Sequence, residues 1–323
     1  MAGLGAKTVT VTGDAGATAE VVAKAIGIPG SVCGVTPLPG DLRANDYAIF
    51  AGVLHEDKFR LVKALQSGGH VVGMCGDGAN DAPALRQAEM GIAVSTATDV
   101  AKSAAGIVLT EPGLAGVVAA VKEGRITFQR ILTYILRSIV HKVMQVLFLT
   151  AGLVMTGHTV LTPGLMVLMM ITGDFLAMSS STDNVRPSPR PSVWRIRNLT
   201  IAGVVLGLIN LGFCVACLAF GKFWLGLDTN VLRTMAVVVL VFSGQAVFYM
   251  AREREHIWSS RPGKWLTMCS SVDLTIISVL AGAGILMLPL PIGIIAGLFG
   301  AAVGHAFVLD AAKLLLFRRL AVA

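Results

Sequence analysis

Six apolar stretches constrain this chain more than any other feature: approximately 137–156, 160–180, 199–221, 234–250, 273–288 and 292–313. Each approaches the ~20 residues that a helix needs to cross a bilayer. The basic residues between them alternate. The 157–159 turn has none, and the 181–198 loop holds Arg186, Arg190, Arg195 and Arg197. Lys222 and Arg233 lie in the 222–233 loop, and Arg252, Arg254, Arg261 and Lys264 in the 251–272 loop. The 289–291 turn again has none, while the tail carries Lys313, Arg318 and Arg319. Long buried helices of a soluble protein do not predict that alternation. The positive-inside rule predicts an integral, multi-pass protein of a plasma or inner membrane, with both termini cytoplasmic. The N-terminus, MAGLGAKTVTVTGDAGATAE, lacks the basic start and apolar core of a signal peptide, so the first 130 residues are expected to stay in the cytoplasm. Its start just before a core strand agrees with a beginning at a domain joint.

Composition supports this reading. Hydrophobic residues make up 54% and charged residues 14%, against ~25% charged in an average soluble domain. The net charge of +7 is unevenly spread: residues 1–130 hold 11 Lys and Arg against 12 Asp and Glu, and residues 131–323 hold 15 against 7. A basic excess confined to the apolar half marks membrane flanks and excludes a nucleic-acid-binding stripe. Five irregularly spaced cysteines offer no disulfide framework. Cys214 and Cys217, although spaced C-x-x-C, lie inside a span and read as helix-packing residues.

Residues 1–130 alternate strand-like and helix-like runs. Strands are predicted at 7–14, 46–53, 70–78, 90–94 and 106–110, and helices at 17–28, 56–66 and 81–89. This alternation predicts a parallel sheet with helices on both faces, whose chemistry gathers at the carboxyl ends of the strands. Two acidic turns fall there: Thr12-Gly13-Asp14 and Gly76-Asp77-Gly78-Ala79-Asn80-Asp81. Asp77 and Asp81 could hold a hard divalent cation completed by waters and a phosphate. Asn80 and Asp81 could instead simply cap the next helix.

GDGANDAPALRQAEMGIAV (76–94) resembles the GDGxNDxPAL hinge of the P-type (E1-E2) cation-transporting ATPases. TGD at 12–14 is similar to that family's phosphate-side turn, and HEDKFRLVKALQ (55–66) to the segment with its phosphate-binding lysine, here Lys58. ATDVAKSAAGIVLTEPGL (97–114) and FQRIL (128–132) extend the likeness, and NVRPSPRPSVW (184–194) resembles a loop of plasma-membrane proton pumps. The resemblance implies a partial haloacid-dehalogenase-like, Rossmann-like phosphorylation domain over 1–113, a stalk helix over 114–136 and an all-α six-helix transmembrane bundle over 137–323, the family's helices five to ten. It implies Mg2+ at Asp77 and Asp81, hinge roles for Gly76, Gly78 and Asn80, and phosphate-side roles for Thr12, Asp14 and Lys58. ATP would act only in a complete pump.

No aspartate here is followed by Lys-Thr-Gly, the family's phosphorylated motif, and its Thr-Gly-Glu loop is also absent. The reading is therefore a C-terminal portion of a pump, inactive alone and partnered by an N-terminal half within the bilayer. The alternatives are a non-catalytic membrane regulator or scaffold, a pump for Mg2+ or another cation, and, against the missing nucleophile, a membrane-anchored phosphatase.

Ionisable residues inside spans are functional candidates. Asp174 is the clearest, with Gly173 beside it able to free a carbonyl. Lys142 stands at a similar depth, so a Lys142–Asp174 ion pair is expected to supply a built-in counter-charge. His141 and Gln145, four apart, share a helix face. Asp310 and His305 read as snorkelling or capping residues. A single carboxylate suits one proton better than calcium, although proton pumps usually place a charged partner nearer the position of Met144.

Overall fold

In the computed structural model, which describes residues 1–28, 30–34, 47–188 and 195–320, the first part of the chain alternates strand and helix. β1 (Thr10–Val11), α1 (Gly16–Ala25), β2 (Val32–Cys33), β3 (Ile49–Phe50), α2 (His55–Ser67), β4 (Gly73–Gly76), α3 (Ala82–Gln87), β5 (Met90–Ala93), α4 (Asp99–Ala104) and β6 (Ile107–Val108) follow in order. The sequence leads one to expect a single parallel sheet. The structure has two parallel sheets of three strands, ordered β1-β3-β2 and β4-β5-β6. Among the described residues no strand pairs with the outer edge of β1 or β4, so nothing joins the two sets through backbone bonds. Helix α2 links them instead. Its Leu61 and Leu65 pack on Phe50, Val53 and Cys33 of the first sheet. Its Gln66 amide donates to the Gln87 carbonyl and the Glu89 carboxylate beside the second.

Helix α2 forms because apolar positions recur at helical spacing and Glu56 and Asp57 sit in its first turn, where acids favour the dipole. Strand β2 and helix α4 were not expected. Two residues carry no readable period, and α4 depends on Thr98, whose hydroxyl accepts from the Ala101 N–H.

Six helices follow: α5 (Ala115–Thr156), α6 (Pro163–Ser179), α7 (Ile196–Ala219), α8 (Thr229–Arg252), α9 (Lys264–Ala283) and α10 (Ile292–Leu320). All six elements are long and apolar enough to cross a membrane, counting the short turns that extend α6 and α7. The chain divides into two compact units, one on Met1–Gly124 and one on Arg125–Ser188 and Ser192–Ala323. The boundary falls inside α5, within the stretch expected as a stalk. The fifth span is displaced from its expected 273–288. It starts at Lys264, with the polar Ser270 and Asp273 buried in its first half, and stops where Gly284 turns left-handed at φ 73°.

Helix α8 is the hub of the membrane unit, with apolar side chains buried all round it. Helices α5 and α7 meet through Gly203 and Gly207, a small-xxx-small pair that permits close approach. A Cβ at Gly203 would lie 2.6 Å from Ile139 Cγ2. Trp258 and Trp265 are exposed at the end where α8 gives way to α9, and Trp224 is exposed at the opposite end of α8. Such aromatic pairs suit the two membrane–water interfaces.

Several basic residues read as topology markers have structural duties. Arg252 is buried, and its guanidinium holds Asp183 through Nε–Oδ2 at 2.9 Å and Nη2–Oδ1 at 3.3 Å. Asp310 and His305 do not snorkel. Asp310 is buried against Lys313 at 2.6 Å and accepts the Ile257 N–H. His305 is paired with Asn210 at 3.0 Å and stacked on Phe213, so burial is satisfied by partners, not by reaching water. Cys214 is buried and donates to Ser243 Oγ at 3.3 Å, as a packing residue would. Arg190 and positions 189–194 of the NVRPSPRPSVW stretch lie outside the described residues.

Candidate functional site

In the first unit, strand β4 runs into a turn whose centre is Asp81. That side chain is buried and reaches back: Oδ2 accepts from the backbone N–H groups of Asp77 and Gly78, both at 3.3 Å. Oδ1 receives the Lys58 ammonium of α2 at 2.6 Å. Asp81 thus ties its own turn to α2 and makes no side-chain cap on α3, where Pro83 occupies the first turn. The close fold of this turn requires Gly76, since a Cβ there would stand 2.8 Å from Asp81 Oδ2. Burial pushes the Asp81 carboxyl up, but the Lys58 hydrogen bond and charge and the two backbone donors outweigh it and hold it below the usual value. Burial and the neighbouring Asp77 and Asp81 raise the Cys75 thiol.

Asp77 and Asn80 are exposed, and neither side chain forms a hydrogen bond among the described residues. Asp77 anchors the turn by its backbone, its carbonyl accepting from the Thr98 N–H at 2.9 Å. Thr12 and Asp14 form their own cluster at the end of β1. The Thr12 hydroxyl donates to Asp14 at 2.8 Å and accepts from the Asp14 N–H at 3.1 Å. The Gly52 and Val53 N–H groups clamp this turn to the end of β3. The structure therefore joins Lys58 to Asp81 and Thr12 to Asp14. No hydrogen bond or ion pair links the two pairs among the described residues.

No three acidic, His or Cys side chains gather as a metal cluster among the described residues. The turn offers hard oxygen donors, which suit a Mg2+ ion that keeps several waters. Asp77 is the carboxylate free to bind it. Asp81 stands behind with both oxygens engaged.

In the membrane unit, Lys142 and Asp174 are both exposed and form no ion pair. Lys142 lies on the outer side of α5. Arg137, one and a half turns earlier, faces α6 instead. Its Nη2 donates to the Gly173 carbonyl at 3.2 Å, so that carbonyl serves a guanidinium. Its charge is felt at both Asp174 and Asp273, and its Cζ lies 5.2 Å above the Phe248 ring. His141 and Gln145 are half-buried and make no side-chain hydrogen bonds among the described residues. Three residues here were missed from sequence: Arg137, Gln245 and Asp273. The displaced fifth span explains the last, since a start at 273 makes Asp273 an unremarkable edge residue. For Arg137, the signal was its position on the expected first span.

Two family models, each described as haloacid dehalogenase-like hydrolase, match residues 2–89 and 60–121. A Methanocaldococcus jannaschii protein named "Putative cation-transporting ATPase" is 32% identical over 97% of this chain. The chain spans 40% of that relative's length. The first unit is thus a haloacid-dehalogenase-like domain built on parallel sheets, and six membrane-capable helices follow it.

Proposed function

We propose that this chain is the C-terminal part of a P-type cation-transporting ATPase, in a multi-pass arrangement with both termini cytoplasmic and with the proton as preferred cargo. One observation carries the reading: the match to a cation-transporting ATPase covers 97% of the chain, and so includes the dehalogenase-like unit and all six apolar helices. The Gly76–Asp81 turn supplies the phosphoryl side. Phosphoryl transfer depends on positioning and charge neutralisation, and Lys58, Thr12 and an Asp77-bound Mg2+ would provide these. Mg2+, when bound, would offset the charge of the transferred group. Asp81 would hold Lys58 in place.

The acceptor aspartate must come from elsewhere. The unpaired edges of β1 and β4 leave room for a further strand from an N-terminal partner that also brings ATP. In the membrane unit, Asp174 lines the ion path with His141 and Gln145 nearby, and Arg137 replaces Lys142 as its counter-charge. The exposure of Asp174 supports a missing helical neighbour, because a bare carboxylate facing lipid is costly.

The test is phosphoenzyme formation. The purified chain with labelled ATP and Mg2+ should give no acid-stable label. Co-expressed with a polypeptide bearing the Asp-Lys-Thr-Gly and Thr-Gly-Glu segments, it should co-purify and support labelling of that partner, and Asp77→Ala should abolish this. Labelling of this chain itself, or a partner phosphorylated equally without it, would overturn the proposal.

A further inference from the structure

Asp273 is a buried acid that the pump reading leaves unused. It is the tenth residue of α9 and is 7% exposed. Its Oδ2 accepts a 2.6 Å hydrogen bond from the Gln245 side-chain amide of α8. The Gln245 oxygen in turn accepts from the Ser270 hydroxyl at 2.8 Å, one turn earlier on α9. That second bond fixes which end of the amide faces the acid. A hydroxyl can donate to the amide oxygen, leaving the NH2 to donate to the carboxylate. The remaining oxygen, Oδ1, is buried and has no hydrogen-bond partner among the described residues.

The other helices around α9 define what this oxygen can take. Thr172 of α6 lies beside the acid as a side-chain hydrogen-bonding neighbour, and its hydroxyl also stands 3.3 Å from the Met169 carbonyl. A hydroxyl can rotate to donate to the charged acid or to accept from the protonated one. Arg137 of α5 is the cation whose charge reaches the acid. It is shared with Asp174 and also holds the Gly173 carbonyl. Helix α10 approaches the far end of α9, where Ile295 lies near Gly282, and brings no charge there. One guanidinium therefore serves two carboxyl groups. Two anions against one cation leave an uncompensated charge inside an apolar bundle, which is expensive. Of the two acids, Asp273 is the buried one with an open oxygen.

We propose that Asp273 is a proton-binding residue of the membrane unit, taking up and releasing one proton at its open Oδ1, with Gln245 as its positioning residue. On uptake a single O–H bond forms at Oδ1, its proton drawn from water, and the hydroxyl donates to Thr172 Oγ1. Release reverses the step and restores the charge. Proton binding at this site does not depend on the pump reading, which places the ion path at Asp174.

The test is infrared difference spectroscopy of the full chain in liposomes, stepping pH without ATP. A protonated-carboxyl band should appear on acidification, be lost in Asp273→Asn and return in Asp273→Glu. Gln245→Leu should move the band's midpoint to higher pH by about one unit, a tenfold gain in proton affinity, because the bond to the charged form is gone. A spectrum unchanged by Asp273→Asn, or unmoved in a folded Gln245→Leu chain, overturns the assignment. Loss of the band on adding a metal cation at constant pH would give the site to that cation and also overturn it. An Asp273 band without any phosphoenzyme on reconstitution would sink the pump reading alone, and the reverse result would sink this one alone.

Discussion

In the first unit, Asp81 is held by backbone donors three and four residues away and by Lys58, 23 residues earlier. In the membrane unit, Asp273 is held by Gln245 at a separation of 28, Arg252 grips Asp183 at 69, and the Arg254 guanidinium donates to the Gln129 side chain at 125. The first site is a turn that its own residues nearly complete. The second is assembled only when four helices have packed. Its polar contacts therefore carry tertiary structure as well as chemistry, and their loss should cost more.

Arg252→Met should have the largest effect. The pair is almost wholly buried, with side-chain exposures of 1% and 3%, and removing one partner strands the other charge. The expected loss is about 3–5 kcal/mol, read as a lowered melting temperature in detergent. Arg252→Met combined with Asp183→Leu should recover part of it, since the Asp183 charge is gone while Glu253, 3.8 Å from the guanidinium, and the Gly263 N–H still lose a partner. A single variant as stable as the parent would mean that these long-range pairs are incidental to the bundle.

Gly203→Val comes next. The added side chain would enter a space already filled by Ile139, and overpacking of this kind costs about 1–3 kcal/mol. Helices α5 and α7 must separate or shift. Hydrogen exchange should show faster opening in both, with α9 unchanged. Faster exchange spread evenly over all six helices would deny the local character of this contact.

The same contrast governs what could be read from sequence. GDGAND is legible because its roles are local: Gly76 must be glycine, Asp81 must reach back, and both lie in one hexapeptide. Hydropathy finds the spans because each helix must satisfy the bilayer on its own. That the charge of Arg137 reaches Asp273 was not legible, because no spacing relates residues of α5 and α9. Lys142 attracted attention by depth alone, but depth says nothing about rotation around the helix, and Lys142 faces outward. The two-sheet arrangement was equally hidden, since periodicity reveals strands but not which edges find partners.

Lys58→Met should give the smallest effect and the most diagnostic one. The variant keeps the helical stem and removes the ammonium. Asp81 then loses one charged hydrogen bond of about 1.5–3 kcal/mol but keeps its two backbone donors, which offset part of the loss. We expect about 1–2 kcal/mol at neutral pH, measured by hydrogen exchange over β4 and α3 in the full chain. The pH dependence follows from the lowered Asp81 carboxyl. An unfolded Asp titrates near ~3.9, whereas the folded one keeps its charge to lower pH. Its contribution is therefore complete above the unfolded value and fades as pH falls through the folded one. In Lys58→Met the folded carboxyl should rise, because burial is no longer outweighed. The difference between parent and variant should thus be constant near neutrality, shrink as acid protonates Asp81 in the variant, and vanish once Asp81 is protonated in the parent as well. A gap that stays constant into acid would mean that Lys58 contributes through the packing of its stem. The turn would then be held by the backbone of its own six residues, and the contrast with the membrane unit would be sharper still.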